Sequence, residues 1–289
     1  MDGSWGRWLT PLGFPGKPHY LEGMEPCRLT DRAVISLSGP EARGFLQNLV
    51  SNDVEKLSPG HGLYAALLSP QGKIGFDFFL VEGDGAILLD VAATSRDALL
   101  KKLKLYRLRA KVDIAARDTH GVFAALGDGA ARHAVRFSDP RHAGLPARSI
   151  GALGEMPAGL PGPQAYHTLR LELGIPESGD FGSEKIFALD GGLDELHAIS
   201  FEKGCYVGQE LTARMKHRAT SRKRPLSVTA NGEVPPPGTA VTQGGDIGEI
   251  IAAHGKRGFA AVRLDKWDAT GDALAGGIAV TLTRPQWLG

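Results

Sequence analysis

The chemistry this chain can offer is concentrated in eight residues, Lys203-Gly204-Cys205-Tyr206-Val207-Gly208-Gln209-Glu210. A thiol between two glycines, with a lysine two residues before it, is a candidate reactive group. The thiolate is the reactive form, and nearby positive charge favours it. After Gly208 the residues suit a helix: Gln209, Glu210, Leu211, Ala213, Arg214, Met215 and Lys216 are good or tolerable helix formers. Glu210 and Arg214 have the i,i+4 spacing of a favourable pair. Cys205 is thereby expected on a tight turn just before a helix N-terminus, where the helix dipole and Lys203 both favour thiolate over thiol. A lone cysteine is also a common small buried side chain. The flanking glycines argue for the turn, because they cost backbone entropy wherever a turn is not wanted.

The elements that must position this loop fill 289 residues, enough for two or three domains with substantial cores. A 42% hydrophobic and 22% charged composition is ordinary for a globular chain. The formal charge of +1 gives no general attraction to nucleic acid, so any basic surface is local. The two cysteines, Cys27 and Cys205, are too few for a disulfide framework or a multi-cysteine metal site. They fit a reducing compartment. No apolar run of about eighteen residues is present. Met1 to Lys17, with Trp5 and Trp8 among glycines and prolines, lacks the apolar core of a signal peptide. A cytoplasmic protein is expected, with residues 1–20 as a loose extension.

Along the chain, Ala33–Gly39, Leu63–Leu68, Ile74–Val81, Ala86–Val91, Lys111–Ala115 and Gly121–Leu126 read as short strands. A helix opens with Pro40, and an amphipathic helix spans Thr94–Leu108 with Leu99, Leu100, Leu103 and Leu105 on its apolar face. Residues 127–165 read as connections around short strands. Tyr166–Gly174 is a helix stopped by Gly174, with Pro176 just beyond. Its Glu172 sits in the last turn, where the dipole disfavours a carboxylate. Either a ligand or cation offsets that, or Glu172 is simply exposed. After Arg224 the chain turns to strands punctuated by glycine and proline: Leu226–Ala230, Ala240–Thr242, Ile247–Ala253, Phe259–Val262 and Ile278–Thr283. These predict a small antiparallel barrel or sandwich over 223–289. The whole is α+β. No Gly-x-Gly-x-x-Gly turn or phosphate loop occurs, which argues against nucleotide folds.

The cysteine stretch closely resembles that of the YgfZ family of folate-binding proteins, relatives of the glycine-cleavage T-protein and of the mitochondrial iron–sulfur assembly factor of the same type. Further blocks are similar: Ser38-Gly39-Pro40, Phe45-Leu46-Gln47 and Asn52-Asp53-Val54; Ser69-Pro70-Gln71-Gly72-Lys73 with Asp77-Phe78; Tyr106-Arg107-Leu108-Arg109; Leu169-Arg170-Leu171-Glu172 with Gly174-Ile175-Pro176; and Thr212-Ala213-Arg214-Met215 with His217-Arg218. The resemblance implies a T-protein-like ring: two intertwined α+β (ferredoxin-like) domains over 21–222, divided near 120, and the C-terminal β-barrel, around a central channel for tetrahydrofolate. It further implies a role in assembling or maintaining iron–sulfur clusters and, through client enzymes, in tRNA modification, with Cys205 as the critical thiol.

On that resemblance Glu172 matches the carboxylate that meets the pterin. Arg107, Arg109, Lys203 and Arg214 are candidates for the glutamate tail, each equally consistent with solvated surface charge, and Tyr206 joins the cofactor-binding set. Asp77 falls where the T-protein carries its catalytic aspartate within an aspartate pair. Here the pair is Phe76-Asp77, which puts aminomethyl transfer in doubt. Between Lys203 and Arg224 stand seven Lys/Arg and one acidic residue, Glu210. Such a run can contact RNA phosphates, hold a polyglutamate tail or form a solvated helix face. With no aromatic after Tyr206 a stacking platform is missing, so direct tRNA binding ranks below tail binding. Two functions are weighed: an assembly or repair factor using Cys205 with iron–sulfur client or scaffold proteins, and a folate-dependent aminomethyl- or methyltransferase with Asp77 as acid/base.

Overall fold

The computed structural model describes residues 24–127, 133–218 and 222–289; the expected loose extension lies outside them. The first unit is a five-stranded antiparallel sheet built from β2 (Arg32–Ser38), β3 (Leu63–Leu68), β4 (Ile74–Gly83), β5 (Ala86–Ala92) and β6 (Asp113–Ala116), in the order β3-β4-β5-β2-β6. Successive side chains of a strand point to opposite faces, and here both faces are covered. On one face Ile35, Leu37, Leu67, Phe78, Leu80 and Leu89 meet Leu46 of helix α1 (Ala42–Gln47) and Leu99 and Leu103 of helix α2 (Arg96–Arg107). On the other, Val34, Tyr64, Ala66, Phe79 and Val81 meet Val122, Phe137 and Ile150 of a second sheet. Burial on both sides explains why β3 reads as the nearly unbroken apolar run Leu-Tyr-Ala-Ala-Leu-Leu.

The second sheet has the order β1-β7-β9-β8, from β1 (Cys27–Arg28), β7 (His120–Ala124), β8 (Val135–Phe137) and β9 (Arg148–Ala152). Because β1 precedes β2 in the chain yet pairs with β7, the two sheets are threaded through one another. Helix α3 (Gln164–Glu172) follows β9. Gly174 ends its last turn at φ +68°, where the Ile175 N–H donates to the Arg170 carbonyl. A Cβ at Gly174 would stand 2.6 Å from Ser227 Oγ and 2.7 Å from Pro285, so the same glycine lets α3 seat against the C-terminal unit.

That C-terminal unit is a closed antiparallel barrel, β10-β13-β12-β11-β14-β15. Its strands are β10 (Lys223–Ala230), β11 (Ala240–Thr242), β12 (Asp246–His254), β13 (Arg257–Arg263), β14 (Ala273–Ala275) and β15 (Ile278–Thr283). Leu226, Val228, Val241, Ile250, Val262 and Leu282 fill it, and closure leaves no free edge. Two expectations change. Leu105 is 72% exposed rather than on the apolar face of α2. It lies two residues beyond Leu103, roughly 200° around the helix from it. The three-residue β14, with two alanines and a Gly-Gly pair behind it, had too little apolar pattern to be read as a strand.

Charge ties the barrel and the 209–217 helix to the turn segment that carries Asp194 and Glu195. Arg224 Nε donates to Glu195 Oε1 at 3.0 Å, and Lys216 Nζ to Asp194 Oδ2 at 2.7 Å. The opposite oxygens, Asp194 Oδ1 and Glu195 Oε2, are buried without a protein donor. One proton shared by the two side chains satisfies both. Burial first, then the adjacent Asp194, push the Glu195 carboxyl up to about 7, while Asp194 is held low. The folded state therefore keeps a proton that the unfolded chain releases above 4.5, and the stabilisation it brings is lost as pH rises through about 7. Glu195→Gln removes this component. Its melting temperature relative to wild type is expected to rise between about pH 6 and pH 8; a difference that stays flat with pH would exclude the shared proton.

Candidate functional site

Among the described residues, the cysteine loop and a cavity at the junction of the units bear most directly on chemistry. The anchor of the loop is Lys203, whose Nζ donates to the carbonyl oxygens of Gln47 (2.6 Å), Val50 (2.8 Å) and Asn52 (2.8 Å) and lies 5.3 Å from the Tyr206 ring centroid. Burial lowers the Lys203 pKa to about 8, and the three carbonyls favour the ammonium. Around it, Ser51 Oγ donates to the Ala198 carbonyl at 2.6 Å and Asn52 Nδ2 to the His197 carbonyl at 2.8 Å. On the other flank Gly208, at φ +82°, packs so tightly on the β3–β4 turn that a Cβ would stand 2.5 Å from the Ser69 carbonyl oxygen. Helix α4 (Gln209–His217) begins immediately after it. The sequence blocks at 47–52, 69–73 and 203–212 thus close on one another, and Cys205 is left exposed between them.

The second place is a cavity of about 650 Å³ where all three units meet. Arg32 lines it from the first sheet, Thr94 from the turn after β5, His167 and Arg170 from α3, Ser178 from the loop that follows, and His254 from barrel strand β12. Behind it runs a buried ionic network. Asp90 accepts from Arg32 Nε at 2.6 Å and from Arg148 Nη2 at 2.6 Å. Tyr166 Oη accepts from both Arg148 (2.7 Å) and Arg141 (2.6 Å). Arg141 donates onward to Glu177 at 2.8 Å and Asp139 at 2.8 Å. Arg170 donates to Asp180 at 2.7 Å, and His254 Nε2 stands 2.6 Å from the other oxygen of Asp180. Four guanidiniums thus face Asp90, Asp139, Glu177 and Asp180. Burial alone would raise the Glu177 carboxyl, but Arg141, Arg170, Arg32 and Arg148 together hold it well below the usual range.

Asp77 lies under the cavity loop, buried, accepting from Tyr64 Oη at 2.8 Å, the Ser178 N–H at 3.1 Å and Ser178 Oγ at 3.2 Å. Burial raises its pKa. One trio has metal-ligand spacing: Asp31, His167 and Glu177 offer atoms within 4.8 Å of one another. Each is already engaged. Asp31 sits 3.0 Å from His167 Nε2, Arg170 Nε donates to His167 Nδ1, and Glu177 is held by arginines.

The other expected site residues are placed differently. Glu172 is outside the cavity lining, at the exposed end of α3, with Arg257 of the barrel 3.4 Å away. The cation that offsets the dipole is therefore a protein side chain, and Glu172 does not face the cavity. Arg107 and Arg109 are exposed beside a separate groove, so neither reaches a ligand in the cavity. Lys203 is committed to three carbonyls rather than to a tail or to the thiol. Tyr206 is a buried core residue, its phenol pushed up to about 12 by burial. Arg214 is exposed on α4, and the i,i+4 contact expected with Glu210 does not form within ion-pair distance. Lys216, Arg222, Lys223 and Arg224 pair with Asp194, Asp265, Glu249 and Glu195, which leaves little of the basic run for RNA. Arg141, Arg148, Tyr166 and Glu177 were missed. Only the block ending at Pro176, one residue before Glu177, pointed near them.

Two threaded antiparallel sheets, a closed barrel and a cavity at their junction define a protein of the glycine-cleavage T-protein fold class. The crystal structure of the glycine cleavage system aminomethyltransferase T from Bartonella henselae matches with a TM-score of 0.69 over 91% of this chain and 85% of that one, at 16% identity. The CAF17 C-terminal beta-barrel domain matches residues 222–289. The chain is 31% identical to the mitochondrial iron–sulfur cluster assembly factor IBA57 homolog of Coccidioides immitis, over 90% of this chain and 82% of that protein. It is 30% identical to the mitochondrial IBA57 of Mus musculus, over 90% and 84%. For the Homo sapiens protein the figures are 31%, 83% and 77%. The chain belongs to the IBA57 family. All three relatives are named as mitochondrial, which overturns the cytoplasmic expectation. Cysteine usage reports a reducing environment, and that does not specify an organelle.

The Lys203 cage yields a direct test. Lys203→Met keeps the stem but leaves three carbonyls without their donor, at a cost of about 2–4 kcal/mol. For a chain of this size the melting temperature is expected to fall by roughly 5–10 °C. A loss below about 1 °C in differential scanning fluorimetry would mean that the cage does not hold the loop.

Proposed function

We propose that this protein acts in the assembly or repair of iron–sulfur clusters, presenting Cys205 to a client or scaffold protein. The observation that carries this reading is that Cys205 is exposed on a loop held from both sides by buried contacts, in a chain of the IBA57 family. The cluster is the cargo. A single cysteine supplies one thiolate, so the remaining ligands come from the partner. The narrower YgfZ assignment, with tRNA-modifying enzymes among the clients, is part of this proposal and rests on the motif resemblance.

The cavity is proposed to hold tetrahydrofolate. Its volume is in the range of small-molecule sites, and its lining mixes apolar Ala92, Leu171 and Ile251 with polar groups. Asp31, exposed at the rim, keeps one carboxylate oxygen beyond its His167 contact to accept N–H donors from a pterin ring, and the part-exposed His254 is the donor at the rim for a carboxylate of the tail. Bound folate would supply a one-carbon carrier. Aminomethyl transfer by Asp77 gains no support from the geometry: its carboxyl is buried and occupied by Tyr64 and Ser178, both holding the loop in place.

Cells lacking the endogenous protein and expressing Cys205→Ser are expected to accumulate the folded variant yet lose cluster-dependent enzyme activity to the level of the deletion. Full activity would sink the thiol reading. In calorimetry, tetrahydrofolate is expected to bind wild type, and Ala253→Trp, which fills the cavity, to weaken it at least about tenfold. Binding that is unaffected by Ala253→Trp would place the ligand elsewhere.

A further inference from the structure

The surface of α2 and the segment after it carries features that neither the fold nor the cysteine loop uses. From Lys101 to Lys111 the chain has six Lys/Arg and no acidic residue. Lys102 reaches Glu184 at 3.3 Å. Lys101, Lys104, Arg107, Arg109 and Lys111 are exposed and have no carboxylate partner among the described residues. Among these cations stand Leu105 and Leu108, 72% and 85% exposed, the two most exposed large apolar side chains described. Leu108 is also held at φ 46°, ψ −106°, a conformation unfavourable for any residue with a Cβ. An exposed leucine in a strained backbone contributes nothing to folding that a glycine would not improve.

Arg107, Leu108 and Arg109 edge a groove of about 710 Å³ between α1 and the α2–β6 connection, with Phe45, Leu49 and Tyr106 in its lining. Glu41 is the single carboxylate there, and it accepts from the Lys111 backbone N–H. The groove and the anchor of the cysteine loop share α1. Phe45 and Asn48 line the groove, while the intervening Gln47 carbonyl holds Lys203, two residues before Cys205. By chain reach, groove and thiol are within roughly 20 Å of each other.

We propose that this groove docks an acidic segment of the partner protein, anchored by an apolar side chain, so that the partner's own ligands face Cys205. The proposal rests on the partner-facing role of the thiol given above. Arg107 and Arg109 at the groove, with Lys101, Lys104 and Lys111 exposed on the same segment, supply charge complementarity for Asp and Glu. A concave apolar floor receives an inserted side chain, which a flat membrane surface does not offer. With Tyr106 half-buried, stacking of RNA bases has no platform.

The test uses the full chain and a fluorescein-labelled twelve-residue peptide of alternating Glu-Asp and Leu-Leu pairs, read by anisotropy. Wild type is expected to bind it, weakening with salt. The doubles Arg107→Glu/Arg109→Glu and Leu105→Ser/Leu108→Ser are each expected to weaken binding at least about tenfold. Cys205→Ser is expected to bind normally. Leu108→Gly, which relieves the backbone, should bind more weakly while melting no lower than wild type, separating docking from stability. The proposal is overturned if the peptide does not bind, or if neither double changes binding by more than about twofold. It is equally overturned if a Lys-for-Glu/Asp peptide or vesicles of anionic phospholipid bind as well. If the peptide results hold but Cys205→Ser cells keep full cluster-enzyme activity, the thiol reading fails and the groove stands as a docking site for a different purpose.

Discussion

Four arginines buried at the junction of the three units hold the molecule to one arrangement. Arg32, Arg141, Arg148 and Arg170 have side chains between 0 and 5% exposed, and every one is matched to a carboxylate at hydrogen-bonding distance. A desolvated charge is costly unless its partner is in place, so neither sheet can shift without exposing or orphaning one of them. Removing a single member costs about 3–5 kcal/mol in such settings, whereas the complete network adds little over a well-packed apolar core. Its contribution is therefore to geometry more than to stability. Asp90 joins the first sheet to the second, Tyr166 and Glu177 join α3 and the segment after it to Arg141 and Arg148 of the second unit, and Asp180 with His254 carries the connection into the barrel.

That constraint shapes what is left for ligands. With Asp90, Asp139 and Glu177 already committed, the cavity cannot recognise a ligand by stripping them from their arginines without losing the junction. Recognition falls to the rim and to the hydroxyls and apolar groups of the lining. Asp77 is committed in the same way, its carboxylate accepting from Tyr64 and from the Ser178 turn.

The cysteine loop follows a different design. Its neighbours are backbone carbonyls and glycines rather than charges, and the lysine beside the thiol in sequence turns inward, away from it. The loop is rigid at its base and open at its tip, which suits a group that must be offered to another protein. Groove and α1 lie on the outer face of the first sheet and the cysteine loop at its β3–β4 end, whereas the cavity lies at the junction. A small-molecule site and a partner-facing surface can thus coexist in one chain of this size.

Much of this was legible in the sequence. Strand and helix periodicities placed β2 to β5, α2, α3 and most of the barrel, because alternation over a few residues is a local consequence of burying one face. The glycine pair around Cys205 and the lysine before it marked the loop, since a φ near +82° at Gly208 is readily met only by glycine. What the sequence did not contain was the identity of each charge's partner. Asp90 is 58 residues from both Arg32 and Arg148, and Lys203 is 156 residues from the Gln47 carbonyl it holds. No spacing rule spans such distances. Glu172 and Glu177 are both acidic residues near the end of one helix, and only the packing of the barrel decided that one would be a surface ion pair and the other a buried anchor. Local periodicity fixed the elements; desolvation at their junction, which exists only once they are packed, assigned the roles.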